Sequence, residues 1–221
     1  MSKKEFRVYI VDDHPLMRKG MAMTLQSEVD IDVCGQAETA EKAIGEIGSQ
    51  KPDAVIVDIS LPGMNGIELV KSLIHQLPHL KILVVSRHDE DLYAERAIRA
   101  GAKGYLMKLE AGDTLVTALR KVLNGGLWLS EEMGARMIMK MAGGKNSGTQ
   151  DPIELLSDRE LEVFEHIGRG DTTAEIGERL HISVKTVESY RARIKDKLQL
   201  DSGNALLHRA VKWIEERSET R

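Results

Sequence analysis

At 221 residues, with 42% hydrophobic and 30% charged content, the chain has the composition of an ordinary globular protein and the length for one large domain or two modest ones. The net charge of −4, with residues 1–125 at −2 and residues 151–221 at −3, excludes a protein that coats nucleic acid by bulk charge, so any such contact must come from a local patch. No apolar stretch has the length of a membrane span, and Met1-Ser2-Lys3-Lys4 leads straight into an apolar run rather than a signal peptide, which predicts a cytoplasmic protein with no membrane contact.

In chain order, the apolar runs Arg7–Val11, Asp32–Cys34, Ala54–Asp58, Lys81–Ser86 and Gly104–Met107 predict five short strands. Helical patterns alternate with them at Pro15–Gln26, Ala40–Ile47, Ile67–Gln76, Leu92–Ala100 and Asp113–Leu123. Pro15 suits a first-turn position, where its missing N–H costs nothing. Five strand–helix units in regular alternation predict an α/β domain, a doubly wound five-stranded parallel sheet with helices on both faces. The single cysteine, Cys34, lies in the second run and is expected as a buried strand thiol.

Gly125-Gly126 breaks the last of these helices. Glu131–Met141 reads as a short helix whose methionines at 133, 137, 139 and 141 either pack on a neighbour or form an adaptable interaction surface, and residues 142–149 read as a flexible tract ending near Pro152. From Leu155 onward the patterns are helical. Ser157-Asp158-Arg159-Glu160 has capping-box spacing and opens a helix through Ile167. Thr173–Leu180 and Val184–Leu198 are joined by the turn His181-Ile182-Ser183, with Ser183 as N-cap, and Asn204 is the expected cap of a last helix, Ala205–Glu216. Two helices joined by three residues make a helix-turn-helix. The expected division is an α/β domain at 1–125, a linker with a short helix at 126–152, and an all-α four-helix domain at 153–221.

The chemistry concentrates at strand ends. Asp12-Asp13 and Asp58 close two apolar runs, and ligands of parallel sheets gather at the carboxyl ends of strands. Three carboxylates in one crevice repel one another unless a cation is present, and an oxygen-rich acidic cluster suits a hard divalent ion such as Mg²⁺, which in turn recruits phosphate. Taken singly, a strand-end Asp is commonly a cap or loop residue, and Ser86, Tyr105 or Lys108 alone carries no message.

Together, Asp12-Asp13, Asp58, Ser86 and Lys108, at the ends of the first, third, fourth and fifth strands, resemble the receiver domain of bacterial two-component response regulators, over residues 5–125. The resemblance implies that Asp58 takes a phosphoryl group from a sensor histidine kinase. It implies that Asp12, Asp13, Asp58 and the carbonyl of Ser60 hold Mg²⁺, and that Lys108 adds a fixed positive charge. Ser86 would offer its hydroxyl to the phosphoryl group, Tyr105 would turn inward in response, and Arg87-His88-Asp89-Glu90 would form the bistable region. Leu109 stands where many receivers have proline after the lysine; a non-proline cis bond costs roughly 2.5–4 kcal/mol, so a trans bond or a strained cis one is expected.

Residues 155–213 resemble the LuxR-type effector domain, through Leu156-Ser157-Asp158-Arg159-Glu160-Leu161-Glu162-Val163, Gly170, Glu175-Ile176, Leu180, Ile182-Ser183, Thr186-Val187 and Lys197-Leu198. The combination is similar to NarL/FixJ-type response regulators and implies a phosphorylation-switched transcription factor. Its reading helix, 184–198, sets Lys185, Arg191, Arg193, Lys195 and Lys197 against Glu188 and Asp196, a local +3 suited to the major groove. Thr173, Lys185, Thr186, Glu188, Ser189, Tyr190, Arg191, Arg193 and Lys197 are the expected contacts with promoter DNA. Thr172-Thr173, Glu188 and Tyr190 depart from the residues common in the family, so the operator cannot be borrowed from relatives. A homodimer reading an inverted repeat is expected, with the last helix serving either as dimer face or as core closure. Three rival readings stand beside this one. A haloacid dehalogenase-type phosphohydrolase would need a second acid where Ser60 stands. A dinucleotide-binding domain would need a Gly-rich turn after the first strand. A degenerate regulator that binds DNA unphosphorylated is opposed only by the intact acidic cluster. The seven histidines show no zinc-ligand spacing with Cys34.

Overall fold

The computed structural model describes residues 6–141 and 152–219. The tract 142–149, expected to be flexible, lies outside the described residues. The chain divides into two compact units, residues 1–144 and 145–221.

In the first unit, strands β1 (Phe6–Val11), β2 (Ile31–Ala37), β3 (Ala54–Val57), β4 (Lys81–Ser86) and β5 (Gly104–Met107) form one parallel sheet in the order β2-β1-β3-β4-β5. Helices α1 (Pro15–Gln26), α2 (Ala40–Gln50), α3 (Gly66–Gln76), α4 (Glu90–Ala100), α5 (Ala111–Leu123) and α6 (Glu131–Met141) complete it. The sheet is buried on both faces, as its unbroken apolar runs require. Val8, Ile10, Ala54, Ile56, Leu83, Val85 and Leu106 pack with Met21, Ala22 and Leu25 of α1 and Leu115, Ala118, Leu119 and Val122 of α5. The alternate residues Tyr9, Val11, Val55, Val57, Ile82, Val84 and Tyr105 are as deeply buried on the side of α2, α3 and α4.

The bounds of β1, β2 and β3 and the burial of one thiol differ from the sequence reading, β1 by one residue at its start. β2 runs four residues longer in all than the expected segment, because a bulge hides its periodicity: Val8 pairs with Val33 but Tyr9 pairs with Gly35, which leaves Cys34 as the skipped residue. Cys34 is therefore half-buried rather than buried, its thiol donating to the carbonyl of Val8 at 3.4 Å. β3 stops at Val57, one residue short, so Asp58 belongs to the loop.

The second unit opens with a 3-10 turn, Pro152–Leu155, which the sequence reading lacked, followed by α7 (Asp158–Gly168), α8 (Thr173–Leu180), α9 (Val184–Leu198) and α10 (Gly203–Glu219). Ser157 and Glu160 form the expected capping box. The cap of α10 is Ser202, not Asn204: the Ser202 hydroxyl accepts the Ala205 N–H at 3.1 Å. Gly203 disguised this start, since a glycine reads as a breaker where here it is the first helical residue. Gly168 permits α7 and α10 to touch, as a Cβ there would lie 2.6 Å from the Ala210 carbonyl oxygen. Among the described residues, no helix is long and apolar enough to cross a membrane.

Candidate functional site

The strand order reverses between β1 and β3, and the crevice opens there. Val11 pairs with Val57, and the N–H of Asp58 donates to the Val11 carbonyl at 2.8 Å, so the residues that follow the two strands emerge side by side. Asp12, Asp13, His14 and Asp58 each present a ligand atom, and these atoms lie within 4.8 Å of one another. Asp12 and Asp58 are buried and Asp13 partly so. The His14 Nδ1 sits 2.5 Å from Asp13 Oδ1. In the sequence nothing sets that histidine apart, since it has no ligand spacing with Cys34 and its partner is the adjacent carboxylate.

On the other side of the reversal, β5 pairs with β4, and the Lys108 N–H donates to the Ser86 carbonyl at 2.8 Å. This brings the Lys108 Nζ to 2.7 Å from both Asp12 Oδ2 and Asp58 Oδ2. Burial works to lower the lysine's pKa, but the Asp58 and Asp12 carboxylates overcome it and hold the ammonium above its usual range. Asp12 is shifted upward, first by burial and then by the charge of Asp58, with Lys108 opposing both. Asp58 Oδ1, the other oxygen of that carboxylate, is buried and accepts no hydrogen bond. A buried carboxylate oxygen without a partner, in a ring of oxygen donors, suits a hard divalent cation. The bond from Lys108 to Leu109 is trans, and the Leu109 side chain is exposed.

Ser86 and Tyr105 are both buried, and they meet at His88. The His88 N–H donates to Ser86 Oγ at 3.3 Å, the Tyr105 hydroxyl donates to the His88 carbonyl at 2.7 Å, and the His88 Nε2 pairs with Ser60 Oγ at 2.8 Å. The ring also packs on Tyr93 with centroids 4.5 Å apart. His88 is thus the hub of the β4–α4 turn. The sequence reading named it only as part of the bistable stretch, since nothing in a lone histidine announces four partners.

In the second unit, α8 and α9 form the helix-turn-helix. The turn is made by His181 in the left-handed region (φ 51°), then Ile182, then Ser183, whose hydroxyl accepts the Thr186 N–H at 3.1 Å. Gly177 allows the turn to close, because a Cβ there would lie 2.9 Å from the Ile182 carbonyl oxygen. Arg159 of α7 donates to the Leu180 carbonyl at 2.8 Å and to Glu162 at 2.7 Å, which fixes the end of α8. Val187 and Ile194 face inward, while Leu198 is half-buried.

The outer side of α9 presents Lys185, Glu188, Ser189 and Arg193, with Thr186, Tyr190 and Arg191 partly covered. Glu188 accepts from the Thr173 hydroxyl at 3.0 Å and lies 3.7 Å from Arg191, so an acid in the reading helix is held in place by two other expected contact residues. The Arg193 guanidinium stacks 5.8 Å from the Tyr190 ring. Lys197 has partners inside the domain. Its ammonium lies 2.6 Å from Glu160 and 3.1 Å from the Leu155 carbonyl, tying the last turn of α9 to the capping box of α7, while its side chain stays partly exposed.

Comparison with known proteins agrees with both halves. The family model described as the response regulator receiver domain matches residues 8–120, and that described as bacterial regulatory proteins of the luxR family matches residues 154–210. The chain is 33% identical over 210 residues to the oxygen regulatory protein NreC of Staphylococcus carnosus (strain TM300), covering 93% of this chain and 97% of that one. It is 29% identical over 232 residues to the transcriptional regulatory protein DegU of Brevibacillus brevis, covering 98% of each. Among solved structures, RcsB from Salmonella enterica serovar Typhimurium, bound to promoter rprA in the presence of phosphomimetic BeF3-, superposes with a TM-score of 0.61 at 26% identity, covering 93% of this chain and 98% of that one.

Proposed function

The chain belongs to the bacterial response regulators that join a receiver to a LuxR-type DNA-binding domain, and from that premise we propose that phosphoryl transfer to Asp58 switches its binding to promoter DNA through α9. It is a transcriptional regulator of a two-component system rather than an enzyme acting on a metabolite. In the transfer, the P–N bond of a kinase phosphohistidine breaks, a P–O bond to Asp58 forms, and the electron pair of the broken bond returns to the imidazole. The observation that carries this reading is the Asp58 carboxylate: Oδ2 is held by Lys108, while Oδ1 accepts no hydrogen bond among the described residues, which leaves its lone pairs for the cation and the phosphoryl group.

Asp12, Asp13, Asp58 and the Ser60 carbonyl would hold Mg²⁺, which when bound neutralises charge on the phosphoryl oxygens. Lys108, already oriented by its ion pairs, follows the phosphoryl group as a second fixed positive charge. Ser86 donates its hydroxyl to a phosphoryl oxygen after transfer. The phosphohydrolase alternative lacks support, because Ser60 stands where its second acid would be and is hydrogen-bonded to His88.

On DNA, Lys185, Thr186, Ser189, Tyr190, Arg191 and Arg193 form the reading face, with Thr173 and Glu188 setting the position of Arg191. The partners are a sensor histidine kinase, promoter DNA and a second copy of the chain, in the cytoplasm. α10 closes the core through Leu206, Ala210 and Trp213, with Trp213 against Phe164, so the dimer reading does not depend on that apolar face. Intact mass with Mg²⁺ and a small phosphodonor tests the assignment. Wild type is expected to gain one phosphoryl group and Asp58→Asn none; addition to both would move the nucleophile elsewhere.

A further inference from the structure

Beyond α5 the chain returns to the sheet before it leaves the first unit. Trp128 pairs with the edge of β5: its N–H donates to the Lys103 carbonyl at 3.0 Å and its carbonyl accepts the Tyr105 N–H at 2.9 Å. Gly104 permits this approach, since a Cβ there would lie 2.9 Å from the Trp128 Cβ. Ser130 then caps α6 by accepting the Met133 N–H at 3.1 Å, and its own N–H donates to Glu90, the first residue of α4, at 3.0 Å.

Along α4, Arg136 lies 2.6 Å from Asp91 and Lys140 lies 2.8 Å from Glu95. Each pair is one step of four residues beyond the last on both helices, so α6 runs parallel to α4 and in register with it. Parallel helix dipoles do not attract side by side, so the contact draws on these charges, the Ser130–Glu90 hydrogen bond and the buried Met133. Arg99 and Glu132 add to the charges here, Arg99 paired with Glu95 and Glu132 lying 3.8 Å from Arg136.

We propose that the acidic stripe Glu90, Asp91 and Glu95 on α4 is a docking face occupied by the chain's own segment 127–141, and that phosphorylation releases this segment as a strap. The release rests on the phosphorylation reading given above. The path is continuous. Tyr105 is held at its N–H by Trp128 and at its hydroxyl by the His88 carbonyl, and the His88 N–H is held by Ser86. When the Ser86 hydroxyl turns to a phosphoryl oxygen it gives up the His88 N–H. The turn that follows His88 leads at once into α4, whose first residues carry the strap's partners Glu90 and Asp91. The ion pairs are partly exposed and screened by solvent, so they add only a small margin to the Trp128 backbone bonds and the buried Met133, as a two-state element requires.

The test is hydrogen exchange by mass spectrometry on the full chain, with intact mass taken on the same samples. Peptides spanning 127–140 are expected to exchange severalfold faster in wild type with Mg²⁺ and acetyl phosphate than without. The unphosphorylated Arg136→Glu/Lys140→Glu variant is expected to show the same acceleration. Adding Asp91→Lys and Glu95→Lys to that variant, which reverses both pairs, is expected to restore slow exchange and guards against simple misfolding. A phosphoryl adduct with unchanged exchange would overturn release and leave the phosphorylation reading standing. Absence of an adduct would count against that reading instead, and the charge variants then decide the docking face alone: unchanged exchange on reversal, or no recovery on restoring the pairs, overturns it.

Discussion

A hydrogen atom in place of a side chain sets where Asp58 stands. A Cβ on Gly66 would lie 1.9 Å from the Asp58 carbonyl oxygen and 2.7 Å from the Ile59 Cα, both backbone atoms that cannot swing aside. The first turn of α3 therefore rests against the loop that carries the carboxylate, and the Gly66 N–H donates to the Ile59 carbonyl at 2.9 Å. Gly66→Ala is expected to lower stability by roughly 1–3 kcal/mol, read from urea unfolding, because the overpacked contact has no soft partner. It should also slow phosphorylation, by on the order of 10²-fold if the carboxylate moves by about 1 Å. An alanine variant with wild-type stability and rate would mean that α3 yields freely. In the sequence Gly66 reads only as the residue before a helix, since a close approach between segments far apart in space leaves no periodic trace. His88 was hidden for the same reason, its partners at Ser60 and Tyr105 being brought to it by three different strand ends.

Among elements, α9 shows that charge on a helix does not by itself say what the charge meets. Lys185 is exposed at the first turn, whereas Lys197 is bound to Glu160 at the last. Lys185→Ala is expected to leave thermal stability unchanged and to reduce the slope of log K against log salt by about 0.9, one phosphate contact. Lys197→Met is expected to do the reverse: a loss of about 0.5–1 kcal/mol, discounted for the partly exposed ammonium, with little change in slope. The pH dependence follows from Glu160. Burial pushes its pKa up, but the bonds from Lys197 and the Ser157 N–H outweigh this and hold it below the usual carboxylate range. A carboxyl lower in the folded than in the unfolded state contributes stability above the unfolded value, near pH 4.5, and loses it as pH falls through the folded one. The Lys197→Met variant should therefore show a shallower acid limb in its unfolding profile. The helices themselves were legible because their caps and apolar spacing are local. The errors fell where a local signal was ambiguous: Ser202 and Asn204 are equally good caps in composition, and a bulge at Cys34 breaks the alternation that would have extended β2.

For the whole molecule, an acidic chain that binds DNA must do so through few cations. With Lys197 paired to Glu160, Lys185, Arg191, Arg193 and Lys195 remain on α9, so the salt slope is expected to be no steeper than about −4 per bound protomer. A much steeper slope would bring cations outside this helix onto the phosphates. At this scale the sequence was most informative about the sheet and its acidic crevice, because five apolar runs and the β1–β3 reversal bring strand ends together whatever the loops do. It was silent about Trp128, which looks like an isolated aromatic after a glycine pair and is in fact bonded through its backbone to the edge of β5. That position has an optical consequence. The chain has two tryptophans, one in the strap of the first unit and one, Trp213, in the core of the second. In a Trp213→Phe background all indole emission arises beside Lys121, whose ammonium sits 5.5 Å from the Trp128 ring, so the color and quenching of that single fluorophore become a native readout of whether the strap is seated.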